Sequence, residues 1–241
     1  MACLLRTRRA SSIGKQKHGE IFAMVTILII TILCLSWWSF RKPRAVAASP
    51  FTQRKQWALT LSQPMVDAQG LTGFYDPGTT AFTDQTLAQI RGPLLHQLGF
   101  RSTATDDEVR AHLQATLERQ WFGLDLEHLS PDDDPRAAMA FACIRTAFLM
   151  RCVMLMTWLP EQTVWRVLLL NAQRAQDCFA SWEDLGKAFI DGRQQWVAAF
   201  RADPLGERFN ETRLNQLLAP KTGAWAGMPW RELPALNPTP A

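Results

Sequence analysis

The chain has 241 residues, 47% apolar and 20% charged, a length and composition that allow one sizeable buried core and exclude a disordered or fibrous protein. Its formal net charge of +4 is unevenly placed: residues 1–20 carry five basic side chains and Glu20, Arg41, Lys42 and Arg44 follow, and residues 51–241 hold 18 basic against 21 acidic residues. The basic excess therefore flanks one apolar segment, and the mildly acidic remainder argues against a phosphate-binding surface, so no nucleic-acid partner is expected.

Residues 1–20 read as a basic tail. Residues 21–40, from Ile21 to Phe40, contain no charge, and at helical rise that length matches the hydrocarbon thickness of a bilayer, about 30 Å. A transmembrane helix is expected there, with Trp37 and Trp38 at the interface and Arg41-Lys42-Pro43-Arg44 stopping the span. Ala45-Val46-Ala47 resembles a signal-peptide cleavage site, but the apolar run is long for one and three positive charges intervene. The positive-inside rule does not orient the span, since five Lys or Arg lie within fifteen residues on each side. Five cysteines form no Cys-x-x-Cys and no regular framework, which leans towards free thiols and a cytoplasmic placement of the large domain.

Residues 41–50 form a linker, and residues 51–219 carry helical signals only. Thr52 to Gln69 reads as a helix interrupted at Pro64, and Gly70 to Thr80, with Asp76-Pro77-Gly78, as a loop. A helix from about Asp84 is expected to break near Gly92-Pro93 and restart to about Leu98. Thr105-Asp-Asp-Glu108 has the spacing of a capping box and opens a helix to Trp121. Asp132-Asp133-Asp134-Pro135 marks the next start; three consecutive acids suit a helix entrance better than a cation site, and no metal is expected.

The segment from Arg136 to about Trp158 is apolar nearly all round, as in a bundle core or a membrane. Arg145 and Arg151 favour the core, because each at mid-span would cost about 2.5 to 3.5 kcal/mol on the insertion scale. After Trp158-Leu159-Pro160, helices are expected over Glu161 to Cys178, Ser181 to Arg201 and Glu207 to Leu218, and residues 220–241 form a Pro- and Gly-rich irregular tail. The fold class is all-α: one bundle-like domain behind one N-terminal transmembrane helix.

Ser181 to Trp196 is the most informative stretch. Ser181 can cap the first turn, Glu183 and Asp184 suit the positive end of the helix dipole, and Trp182, Leu185, Phe189 and Trp196 share one face. Gly186 and Gly192 inside that helix imply close approach of a neighbour. Arg145 needs a partner among apolar neighbours, and an acidic one is expected. Arg145, Glu183, Asp184 and Arg193 form a candidate polar cluster, either a structural ion-pair network or one cleft able to bind a small polar ligand. Trp225 and Trp230 are either packed onto the domain or open to a partner. The four histidines are scattered, and no nucleophile elbow, phosphate loop or dinucleotide fingerprint occurs, so no cofactor is implied.

The stretch Ser181-Trp-Glu-Asp-Leu-Gly186 to Gly192-Arg193 and Trp196, with Ala140-Phe141, Arg145, Arg151, Trp158-Leu159-Pro160-Glu161 and Trp165, resembles the signature of the YbeU/YbeR-like bacterial family, domain of unknown function 1266, over about residues 55 to 200. The resemblance implies an all-helical bacterial domain and supplies no catalytic residues. Ala142 departs from it, standing where an acidic residue is expected. Together these readings give a single-pass protein of the bacterial inner membrane whose domain is a non-enzymatic protein–protein interaction module, immunity-type being one form. The alternative is a hydrolase or small-ligand-binding domain using the Arg/carboxylate cleft.

Overall fold

The computed structural model describes residues 50–67, 69–71, 73–120, 126, 129–200 and 209–231. The expected basic tail, span 21–40 and most of the linker lie outside them. The described residues form helices and no strand: α1 Pro50–Thr60, α2 Gln63–Val66, α3 Asp84–Gln97, α4 Asp106–Gln120, α5 Pro135–Leu155, α6 Glu161–Cys178, α7 Trp182–Phe200 and α8 Glu211–Leu218.

Helix α5 is the centre because its side chains leave no polar face to offer water. It is long and apolar enough to cross a membrane, yet 94% of its most apolar window is buried inside the protein, so it is the core helix of the bundle. Its start obeys the sequence signals: the Asp134 side chain accepts from the Arg136 amide at 2.8 Å, Pro135 occupies the first turn, and Asp133 accepts from the Ser130 amide at 2.7 Å. Helices α6 and α7 pack along α5, and α1 packs on α5 and α6. Contacts Arg136 to Asp184 and Arg145 to Trp196 show α5 and α7 running in the same direction, with α6 returning between them in sequence.

Gly192 explains how closely α7 approaches α5: a Cβ there would lie 2.0 Å from the Ala137 carbonyl oxygen. Beside that contact Phe141 stacks on Phe189 and Trp196, with ring centroids at 5.8 and 5.2 Å. Gly186 faces a different neighbour, since its added Cβ would meet Leu214 of α8 and Trp225.

Three boundaries differ from expectation. Helix α3 runs through Pro93 without a break. A proline ring clashes with the Cβ of the preceding residue; Gly92 has none and stands in open space, so the helix continues. Helix α8 begins at Glu211, because Asn210 caps it by accepting from the Arg213 amide at 3.1 Å. Helix α5 stops at Leu155, short of Trp158. The capping box of α4 is present in both directions: Thr105 N donates to Glu108 Oε2 at 2.7 Å and Glu108 N donates to Thr105 Oγ1 at 3.3 Å.

Residues 221–231 are irregular but pack onto the core. Trp225 is 1% exposed and its indole donates to the Thr60 carbonyl at 3.0 Å. Trp230 donates to the Phe179 carbonyl, Trp57 to Pro229, and Trp182 to Met228. Rings of Trp57, Trp182, Trp225 and Trp230 meet at centroid distances of 4.8 to 5.2 Å. Each indole thus gains apolar contact while its N–H finds a carbonyl, as a buried tryptophan requires. Packing is the outcome for Trp225 and Trp230.

Candidate functional site

The residues singled out in the sequence fall in separate places. At the start of α7, Ser181 Oγ accepts from the Asp184 amide at 3.1 Å and Asp184 Oδ2 accepts from the Ala180 amide at 2.8 Å. The same carboxylate meets the Arg136 guanidinium at 2.6 Å. That hydrogen bond holds Asp184 below the usual carboxylate range against the opposing effect of burial, with the Ala180 amide helping. Arg136 also lies 4.7 Å from the Phe179 ring centroid. Glu183 faces solvent and pairs with Lys187 one turn on, at 2.7 Å.

Arg145 lies nine residues beyond Arg136 on α5, roughly 13 Å of helical rise. Its Nε and Nη2 donate to the side-chain and main-chain oxygens of Gln97, at 3.2 and 2.7 Å, and its guanidinium carbon is 4.9 Å from the Trp196 ring centroid. Gln97, at the end of α3, is thus one partner of Arg145. Arg193 is half-buried on α7 and has its own partner. Asp184 and Arg145 are therefore engaged at different heights along α5, and Glu183 is turned to water. Of the signature residues, Trp182, Phe189 and Gly186 face the core or α8, Gly192 and Trp196 face α5, and Trp165 is buried on α6.

Arg151, fully buried, does something the sequence did not reveal. Its Nε donates to the Phe74 carbonyl at 3.0 Å and its Nη2 to the carbonyls of Asp76 and Thr79, at 2.7 and 2.9 Å. Three oxygens of one irregular loop converge on a cation, which suits the fixed fork of guanidinium donors. Burial lowers the Arg151 pKa, with Asp76 and Glu161 among the groups opposing that. The guanidinium nails residues 74–79 to α5.

Just beyond that anchor the chain turns from α5 into α6. Thr157 N donates to Met154 O at 2.9 Å and Trp158 N to Val153 O at 3.1 Å, the paired bonds of a Schellman ending. That ending puts Thr157 in the left-handed region, φ 57°, where glycine is usual and a β-branched side chain is an outlier. The indole of Trp158 is buried, and its N–H has no hydrogen bond of ordinary geometry. It lies near enough to the Asp106 carboxylate to influence it: burial alone would raise Asp106, but the Arg91 hydrogen bond, then Trp158, then the charges of Arg91 and Arg110 bring it below its ordinary value.

Over this corner opens a recess of about 450 Å³, lined by Thr80, Arg110, Gln114, Met154 and residues 157–161. Its volume is in the range of small-ligand sites, about 300 to 1,000 Å³. Sequence reasoning noted Trp158-Leu159-Pro160-Glu161 as a pattern but not the recess, because Thr80 and Gln114 arrive from segments far away in the chain. A helix ending without glycine was the one signal present.

A family model described as "Protein of unknown function (DUF1266)" matches residues 77–230. No curated protein and no solved structure matches the chain. The match takes in the recess, both buried arginines of α5 and three of the four clustered tryptophans, Trp182, Trp225 and Trp230, and begins after α1 and α2.

Proposed function

The chain belongs to the DUF1266 family, and from that premise we propose that it is a single-pass bacterial inner-membrane protein whose helical domain is a non-enzymatic module binding a partner protein, in the manner of an immunity protein. The carrying observation is how the charged side chains are used. Asp184 is fastened to Arg136, Glu183 to Lys187, Arg145 to Gln97 and Arg151 to three loop carbonyls. Groups committed to holding helices and loops together are poor candidates for proton transfer, which needs a base within reach of a substrate. The anchor in this reading is the uncharged stretch 21–40 with Trp37, Trp38 and Arg41-Lys42-Pro43-Arg44 behind it. Free thiols at Cys143, Cys152 and Cys178 favour the reducing side of the membrane for the domain.

The test is recovery of the tagged full chain from bacterial membranes in mild detergent. The proposal expects the chain to resist alkaline extraction and to bring down one protein in near-equal amount. A chain washed off by alkali removes the anchor, and a chain recovered alone removes the interaction.

A further inference from the structure

The corner recess sorts its polar groups in an unusual way. Arg110 and Glu161, the charged residues at its edge, are both occupied: Arg110 holds Asp107 at 2.8 Å, and Glu161 accepts from Trp165 Nε1 at 2.7 Å with Lys55 Nζ at 3.8 Å. The uncharged ones are not. The side chains of Thr80, Gln114 and Thr157 make no hydrogen bond to protein among the described residues and are exposed. Between these groups the wall is apolar, from Met154, Leu159 and Pro160.

Thr157 adds an independent observation. Glycine would hold this left-handed conformation, φ 57°, without the Cβ clash that threonine meets there, and strain of this kind collects at ligand sites. A threonine there presents a hydroxyl to the recess that glycine would lack.

We infer that the recess at the α5–α6 corner binds an uncharged small molecule with an apolar body and an amide- or ester-type carbonyl, received by the Gln114 amide and the Thr157 hydroxyl. A net charge on the ligand would have to compete with partners already in place, since Arg110 holds Asp107 and Glu161 holds Trp165 and Lys55. A carbonyl needs only the donors left over, and the apolar body takes the place of water over Leu159 and Pro160. This inference stands apart from the partner-protein reading, because a domain can hold a small ligand at one corner and a protein elsewhere.

The experiment uses the full chain in detergent micelles and three probes that share a leucine side chain: N-acetyl-L-leucinamide, which is neutral, N-acetyl-L-leucine, an anion, and L-leucinamide, a cation. Binding is read from the probe by saturation-transfer NMR. The neutral probe should saturate in the millimolar range, at about 10 mM or below, with both charged probes at least about fivefold weaker, the worth of roughly one hydrogen bond. Gln114→Leu, on the exposed side of α4 and harmless to folding, should weaken the neutral probe about fivefold. Thr157→Gly should weaken it similarly while raising the melting temperature by about 2 °C, and Thr157→Ser should bind like the parent. Absence of saturation by the neutral probe, tighter binding of either charged one, or affinity untouched by both Gln114→Leu and Thr157→Gly would each overturn the inference. A pull-down that recovers no partner while the neutral probe binds as described would remove the partner-protein reading and leave this site standing.

Discussion

The two ends of helix α5 are built on opposite principles. Where it begins, each local preference is met: Asp134 caps, Pro135 fits the first turn, Arg136 reaches Asp184, and Gly192 lets α7 press on the Ala137 backbone. Where it stops, a threonine sits in a glycine conformation, and the uncharged polar side chains of Thr80, Gln114 and Thr157 stand at a recess without protein hydrogen bonds among the described residues. An arginine stands near each end, exposed Arg136 and buried Arg151, so the presence of charge is not what separates them. The difference teaches that one end has been arranged for stability and the other has been allowed to depart from it, as proteins do where a ligand must be met.

The comparison can be broken most directly at Arg151. Replacing it by alanine strands the carbonyls of Phe74, Asp76 and Thr79 and empties a guanidinium-sized space, and a loss of about 4 kcal/mol is expected in chemical denaturation. A loss under about 1 kcal/mol would mean that the loop is not held from α5. Gly192→Ala should cost about 3 kcal/mol, since the new methyl would meet backbone that cannot turn aside; Gly186→Ala should cost less, because Leu214 and Trp225 are side chains with some freedom to shift.

Asp184→Asn tests the well-ordered end more gently. The pair with Arg136 is partly exposed, at 32% and 47% of the side chains, so about 1 kcal/mol is the most to expect near neutrality. Because the folded pKa of Asp184 is depressed, the stability it adds is full above the unfolded value near 4 and is lost as pH falls through the folded value. The melting temperatures of parent and variant should therefore differ at pH 7 and converge in acid; a gap that widens below about pH 4 would contradict the assignment. Smallest, and opposite in sign, is Thr157→Gly, expected to stabilise by about 0.5 to 1 kcal/mol. If it destabilised instead, the two ends would not differ in the way described.

Much of this arrangement could be read in advance wherever the cause is local. The Thr105–Glu108 box, the acids before Pro135 and the Ser181 cap are short-range hydrogen bonds written in adjacent residues, and they stand where expected. The all-round apolar character of residues 136–155, with two arginines inside it, correctly pointed to a core helix. What could not be read was contact at a distance. Gln97 reaches Arg145 from 48 residues away and Phe74 receives Arg151 from 77, and nothing in the local pattern names either partner. The end of α5 was misplaced for another reason: a Schellman turn is normally announced by glycine, and Thr157 conceals it.

The cluster of Trp57, Trp182, Trp225 and Trp230 has a consequence in time as well as in space. Trp57 and Trp225 come from opposite ends of the described chain, yet they share one ring cluster, and the Trp225 indole closes on Thr60, 165 residues earlier. During synthesis α1 must wait with an open flank until the last dozen described residues have been made. A chain cut short before Trp225 would leave that flank bare, so an unfinished copy would be betrayed by a greasy scar that protein quality control can recognise.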